Sequence, residues 1–481
     1  MQTDLHVLSE AERAQVHEKS LELLRTIGVR LESDRGRRLL GEAGAEVAEA
    51  DQRVRFPRSL VEASLRAAST SFSLGGRRPG WALAMNQQEC TLAADGTGVH
   101  VLDLETRRWR PGTVDDWLSA THLLDALDEI GIYWCMLDPG FGFEEAAGAV
   151  GYWKNVFTHF SKHVQDSTNS PAETRWLLEV LQVVFGSQEN VRRFHPFSFL
   201  FCPLSPLVLE GPPVDAYLET AGWEIPIAVM PMPLMGATAP ASLISTLVLA
   251  NAEVLASLCL VQSAAPGAPF LYAAAPALVN PRTWRFGGGE VEHALLGAAV
   301  TEMARFYGLP VECSTGGTDQ PTIGVQAGYE RALNWALPAL SWPDILIGPG
   351  LLAGSMVLSL EQLLIDVEVF RRCVRLHRGI ESTPAHWLEA AVEAGGPGAN
   401  FLRERTTRDA LHAGEWHLAD LGIHHGYERW LSDGQPGLLA LAGERVAQIL
   451  TDHASLPLEE HVRRELERIE ARALQARANL G

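Results

Sequence analysis

The sequence predicts an α/β fold: an eight-stranded parallel barrel of the TIM type over residues 86–380, with helical regions before it (1–85) and after it (381–481). Three observations carry this. Eight short apolar runs recur between residues 90 and 349, and helical patterns separate several of them. The stretch from Pro310 to Gly350 shows the repeating unit most fully. There an apolar run ends in Gly316, Gly317 and Asp319, a helical segment with Gln326, Tyr329 and Glu330 follows, and a second apolar run ends in Gly348 and Gly350. Strand, glycine-rich end, helix, strand is the unit of a parallel barrel, with each crossover right-handed.

In chain order, residues 9–28 read as a helix. Ser9 stands at the N-cap with Glu12 in the capping-box position, Leu21, Leu24 and Ile27 form an apolar stripe, and Gly28 ends it. Residues 34–43 and 58–68 are further short helices. The eight expected strands are 90–94, 132–137, 162–166, 196–202, 225–231, 269–275, 310–315 and 344–349. Helices are expected at 114–129, 172–185, 241–263, 290–307 and 326–340, with 355–378 closing the barrel. The long first connection contains G-T-G-V-H-V-L-D and reads as an added hairpin. Residues 382–481 are mainly helical, with a break at Gly395, Gly396, Pro397 and Gly398. The uncharged segment Ile225 to Ala252 is long enough for a membrane span, but Pro226, Pro231, Pro233 and Pro240 interrupt it. A buried strand, a loop and a buried helix account for it better.

Hydrophobic residues make up 47% of the 481, enough for a large core. The net charge of −20 argues against nucleic acid and against an anionic membrane surface. Lys and Arg together number 39, and only Lys19, Lys154 and Lys162 are lysine. The six cysteines form no C-x-x-C and read as reduced thiols of a cytoplasmic protein.

Chemistry in such barrels lies at the C-terminal strand ends. Aromatic residues collect on or near these ends, with Tyr133, Trp134, Phe199 and Tyr272 as the best candidates for binding a cation. Glu312 lies on a strand; if it points inward, it is a buried carboxylate that needs a partner or a cationic ligand. Asp319 either belongs to the site or caps the following helix, and Gln326 lines the site or lies on a helix surface. Gly287-Gly288-Gly289 before a helix is either an anion cradle or a plain turn. His159 with His163, and His424 with His425, are the close histidine pairs, and no metal-ligand motif or phosphate loop stands out. No bound metal and no nucleotide are expected.

Three blocks then carry a resemblance. The first is L-L-R-T-I-G-V-R-L-E with G-A-E-V and V-R-F-P-R-S-L-V-E. The second is D-G-T-G-V-H-V-L-D-L-E-T with R-P-G-T-V-D-D-W. The third is C-S-T-G-G-T-D-Q…V-Q-A-G-Y-E with L-E-Q-L-L-I-D-V-E. In order and spacing the chain resembles the trimethylamine methyltransferase superfamily. With only standard residues, it resembles the branch without pyrrolysine, whose members include glycine betaine methyltransferases. The resemblance implies methyl transfer from a quaternary amine or other methylamine to the cob(I)alamin of a separate corrinoid protein. Cobalamin would thus come with a partner, and a homo-oligomer is expected. Such chemistry needs no proton transfer to the leaving amine, which suits a site poor in acids and bases. Two other readings stay open: a Schiff-base lyase or aldolase using Lys162, and a betaine- or corrinoid-binding sensor without turnover.

Overall fold

The computed structural model describes residues 5–138 and 146–478. Its centre is a ring of eight parallel strands: β1 Thr91–Ala93, β2 Ile130–Tyr133, β3 His163–Asp166, β4 Phe197–Phe201, β5 Ile227–Val229, β6 Phe270–Tyr272, β7 Glu312–Ser314 and β8 Ile345–Ile347. Strands β1 to β6 pair in parallel in sequence order, β7 pairs with β8, and β8 returns to β1 through Ile345↔Thr91. The last gap, between β6 and β7, closes through the bridge Tyr272↔Val311, where the Tyr272 amide donates to the Pro310 carbonyl at 2.9 Å. The fold is therefore the expected TIM-type barrel, and all eight expected strands overlap observed ones. The ladders are shorter than the apolar runs, because the loops continue the runs beyond the last paired residue. The second run starts two residues earlier than expected, and residues 134–137 have already left the ladder.

A main helix follows each strand: α1 Val114–Ala126, α2 Ala146–His159, α3 Pro171–Phe185 (with a second short helix, Gln188–Phe194, behind it), α4 Gly211–Leu218, α5 Leu243–Ala264, α6 Val291–Tyr307, α7 Val325–Ser341 and α8 Leu360–Arg378. Helix α5 is long and apolar enough to cross a membrane. It is instead a core helix, packed under the N-terminal helices Glu10–Thr26, Asp34–Glu42 and Arg58–Ala67. The capping box at Ser9 and Glu12 is present.

The N-terminal region is less purely helical than expected. Strands Val29–Leu31, Glu46–Ala48 and Arg53–Arg55 join Val208–Leu209 in a small sheet. Three-residue strands carry too little alternation to read in a sequence. A second hairpin, Phe72–Gly75 with Ala82–Met85, lies across the N-terminal ends of the barrel strands. Its Leu74 and Met85 belong to the cluster that fills the lumen. Its flanks bond to the starts of three strands: Gly75 N to His195 O (3.1 Å), Arg78 N to Ser161 O (2.8 Å) and Gln87 N to Asp344 Oδ1 (2.6 Å). The hairpin plugs the bottom of the barrel.

At the other end the expected hairpin after β1 is observed. His100–Asp103 pairs with Arg108–Pro111 and extends into a four-stranded sheet with Leu351–Leu352 and Val357–Leu358. After α8, residues 379–437 contain only short helices and no buried residue. Helices Leu438–Asp452 and Glu460–Ala478 then pack back onto the outer helices of the barrel.

Candidate active site

Along a barrel strand alternate side chains face the lumen. Ala93, Ile132, Ala228, Met230, Leu271, Ala273, Ile345 and Ile347 cluster inside. Val164, Phe199, Tyr272 and Cys313 cluster with the surrounding helices. This parity decides the fate of the candidate aromatics. Tyr133 faces outward, where its hydroxyl accepts from Trp117 Nε1 of α1 at 2.9 Å. Phe199 faces outward onto Tyr217 of α4, with ring centroids 5.6 Å apart. Tyr272 faces outward and donates to Asn251 Oδ1 of α5 at 2.8 Å. These three are core residues between strand and helix, and the expectation that they line a cation site is corrected. Each sits one residue out of phase with the lumen, which the apolar runs alone did not reveal.

Trp134, the fourth candidate, lies just beyond β2 and is directed to the lumen. Its Nε1 donates to Gln165 Oε1 at 2.6 Å, and Gln165 Nε2 donates to Glu312 Oε2 at 3.0 Å. Gln165 is on β3 and Glu312 on β7, four strands apart in a ring of eight, so this bond crosses the barrel interior. Glu312 is fully buried, and its Oε1 has no hydrogen-bond partner among the described residues. Burial pushes its carboxyl up to about 8, opposed only by the Gln165 hydrogen bond. Cys202, beyond the end of β4, is held as a thiol near 12, first by burial and then by the Glu312 charge. Trp134, Leu200, Cys202 and Ser314 keep some accessible surface, so the lumen is open on the side of the C-terminal strand ends. Ala93, Ala228 and Ala273 are small, fully buried members of the lumen cluster.

Asp319 and Gln326 lie outside this lumen network. Asp319 does not cap α7, whose N-cap is Gly324 with no side-chain bond. Its Oδ1 instead accepts from the amides of Gly288 (2.9 Å) and Gly289 (3.3 Å). The glycine turn that could have cradled an anion is thus occupied by a carboxylate of the chain itself. Gln326 Nε2 donates to Glu330 Oε1 at 2.7 Å, and Glu330 also accepts from Asp319 N at 3.1 Å and from Thr318 Oγ1. Both residues therefore brace the β7 loop.

Sequence reading missed Arg331. Fully buried on α7, it donates to the carbonyls of Gly316, Gly348 and Leu351, and lies 3.5 Å from Asp366 Oδ2. It ties the ends of β7 and β8 together. The two ends approach so closely that a Cβ on Gly348 (φ +127°) would lie 2.5 Å from Gly316 Cα. A signal was present: Ala327, Arg331, Trp335 and Pro338 share one helical face, so a charge sat on an apolar stripe.

The remaining candidates fall away from the lumen mouth. Lys162 precedes β3 at the plugged end, where its ammonium donates to the carbonyls of Leu124 (3.0 Å) and Leu127 (2.7 Å). His159 ends α2 and His163 begins β3, so they share no helical face. His163 contacts Ser198 Oγ at 2.8 Å and Gly75 O at 3.1 Å. Among the described residues no group of three or more His, Cys, Asp or Glu has the arrangement of a metal site.

A family model for trimethylamine methyltransferase (MTTB) matches residues 1–476. The chain belongs to the trimethylamine methyltransferase family. Composed of standard residues only, it falls in the branch of that family without pyrrolysine. Trimethylamine methyltransferase MttB of Desulfitobacterium hafniense is 27% identical over 455 residues, covering 94% of this chain and 91% of that relative. Its counterpart in Methanosarcina barkeri is 28% identical, covering 98% and 96%. A glycine betaine methyltransferase of Desulfitobacterium hafniense is 25% identical, covering 89% of each. Among solved structures, the Methanosarcina barkeri monomethylamine methyltransferase MtmB superposes with a TM-score of 0.49 at 11% identity, covering 92% of this chain and 93% of that one.

Proposed function

We propose that this family member is a cytoplasmic methyltransferase that moves a methyl group from a quaternary amine, of the glycine betaine type, to a corrinoid carried by a partner protein. The observation that carries the reading is the lumen group Trp134–Gln165–Glu312, with a buried carboxylate oxygen that has no hydrogen-bond partner among the described residues. An aromatic face and a carboxylate are the two groups that attract a cation without donating a proton to it. A cation–aromatic contact contributes about 0.5–2 kcal/mol.

The rim around the lumen supports a protein acceptor. Leu204 (51% exposed), Met232 (47%), Trp284 (75%) and Phe286 (40%) stand on the loops after β4, β5 and β6. Such a patch fits a docking surface. A corrinoid presented there would supply a strongly nucleophilic metal centre as methyl acceptor, and the leaving group from a quaternary ammonium would be a neutral amine. The chain's own residues hold the cation, orient one methyl toward the mouth and exclude water. Self-association is part of the proposal. The segment 379–437 buries none of its residues yet exposes Leu402 (81%) and Trp387 (62%), surface that a second copy would cover.

The test is methylation of cob(I)alamin, followed by its absorbance change, with a panel of quaternary amines and methylamines. Turnover with a quaternary amine is the expected result. Tight binding without turnover would favour a sensor, and no response to any methylated amine would sink the reading.

A further inference from the structure

Glu312 raises a question of charge balance. It is fully buried, it receives one neutral hydrogen bond, and no described cationic side chain pairs with it. A carboxylate in that setting is strongly disfavoured, because a single amide does not replace its hydration. The groups facing it do not relieve this. Trp134 beyond β2 and Ser314 on β7 are neutral. Cys202 beyond β4 is a protonated thiol. His163, deeper in the lumen on β3, is pushed down to about 3 by burial and stays uncharged. Arg331 is committed to Asp366 and to three carbonyls.

The hydrogen-bond chain also fixes where a proton on Glu312 sits. Gln165 Oε1 accepts from the indole of Trp134, which can only donate. The amide NH2 must therefore face Glu312, where it donates to Oε2. A proton on the carboxyl is left to Oε1, the atom without a described partner.

We propose that the barrel exchanges a proton for its cation: Glu312 is a neutral acid in the empty lumen and releases the Oε1 proton to water when a quaternary ammonium settles beside it. This rests on the quaternary-amine reading above. The balance is one cation in and one proton out, with no bond to carbon made or broken. A quaternary ammonium has no N–H to offer Oε1, so only ionisation of Glu312 can match its charge. Affinity should then rise about tenfold per pH unit over the range in which Glu312 is protonated when empty, and level off near pH 8.

The experiment is isothermal titration of the full chain with tetramethylammonium chloride at pH 7, in phosphate and in Tris, whose ionisation heats differ widely. The expected result is a buffer-dependent heat corresponding to nearly one proton released per cation. The uncharged choline analogue 3,3-dimethylbutan-1-ol, with a tert-butyl group in place of the trimethylammonium, should release none. In Glu312→Gln the cation should bind more weakly and without proton release. Equal heats in the two buffers for the wild type would overturn the exchange while leaving the quaternary-amine reading intact. Undiminished release in the variant would place the proton elsewhere and do the same. Absence of binding by both tetramethylammonium and glycine betaine would remove the quaternary-amine reading, and the exchange with it.

Discussion

Of the four aromatic candidates, only Trp134 touches the lumen group, and that separation can be tested by substitution. Trp134→Leu should weaken quaternary-amine binding several-fold while the fold survives, since the indole face contributes attraction and one hydrogen bond to Gln165. Tyr133→Leu, Phe199→Leu and Tyr272→Leu should leave that affinity unchanged and lower unfolding free energy by about 1–3 kcal/mol each. Titration calorimetry and denaturant unfolding of the four variants decide it; equal binding losses in all four would return the outward-facing residues to the site. Glu312→Gln should raise KM more than it lowers kcat, because the substrate charge that Glu312 attracts declines in the transition state. A collapse of kcat at constant KM would instead make Glu312 a proton-transfer group. Glu312 was legible in the sequence as a carboxylate inside an apolar strand. Its partner Gln165 was not, since a glutamine on a strand carries no sign of what lies across a barrel. Tyr133 and Trp134 are adjacent in sequence and opposite in orientation, so composition at the strand end could not rank them.

At the scale of elements, strand and helix order was readable because each apolar run ends in Gly, Pro or Asp before a helical pattern begins. The β7–β8 junction shows what was not readable. Its motif residues Asp319, Gln326 and Glu330 resembled chemistry, yet they bond to one another and to the Gly288–Gly289 turn. Polar residues dense enough to suggest a site can equally be holding a loop. Arg331 is the centre of that support. Arg331→Met should remove the hydrogen bonds to Gly316, Gly348 and Leu351 and leave Asp366 as a buried carboxylate without its partner. A loss of about 3–5 kcal/mol is expected by urea denaturation. Arg331→Met with Asp366→Asn should recover part of it, and full stability in the single variant would show that the junction holds without the guanidinium.

For the whole molecule, the consequence of burying acids appears in its pH–stability curve. Burial raises Glu312 to about 8, and Glu253 and Glu173 each to about 7. An acid raised on folding binds a proton that the unfolded chain has lost. Each such group therefore stabilises the fold at low pH, and that contribution is lost as pH rises from about 4.5 through the folded value. Glu312→Gln lacks this term. Relative to wild type the variant should become more stable by up to about 1.4 kcal/mol per pH unit between pH 5 and 8. Chemical denaturation at pH 5.5, 6.5 and 7.5 measures it; a constant difference would mean that Glu312 is ionised throughout. Lys162 runs the other way. Burial lowers it to about 7, so its contribution grows with pH from there to about 10.5, and Lys162→Met should flatten that limb.

The hairpin Phe72–Gly75 with Ala82–Met85 gives the barrel a floor, and a vessel with one opening imposes a timetable. On the proposed function, a substrate held at Trp134 would enter by the route that a macromolecular acceptor would later cover. The small methyl donor would then arrive first, and the demethylated amine would be confined until the acceptor departs. Steady-state kinetics should accordingly show compulsory order, with the amine product competitive against the donor and the acceptor inhibitory when it binds the empty barrel too early. Random-order kinetics would require a second door, through the floor or between strands.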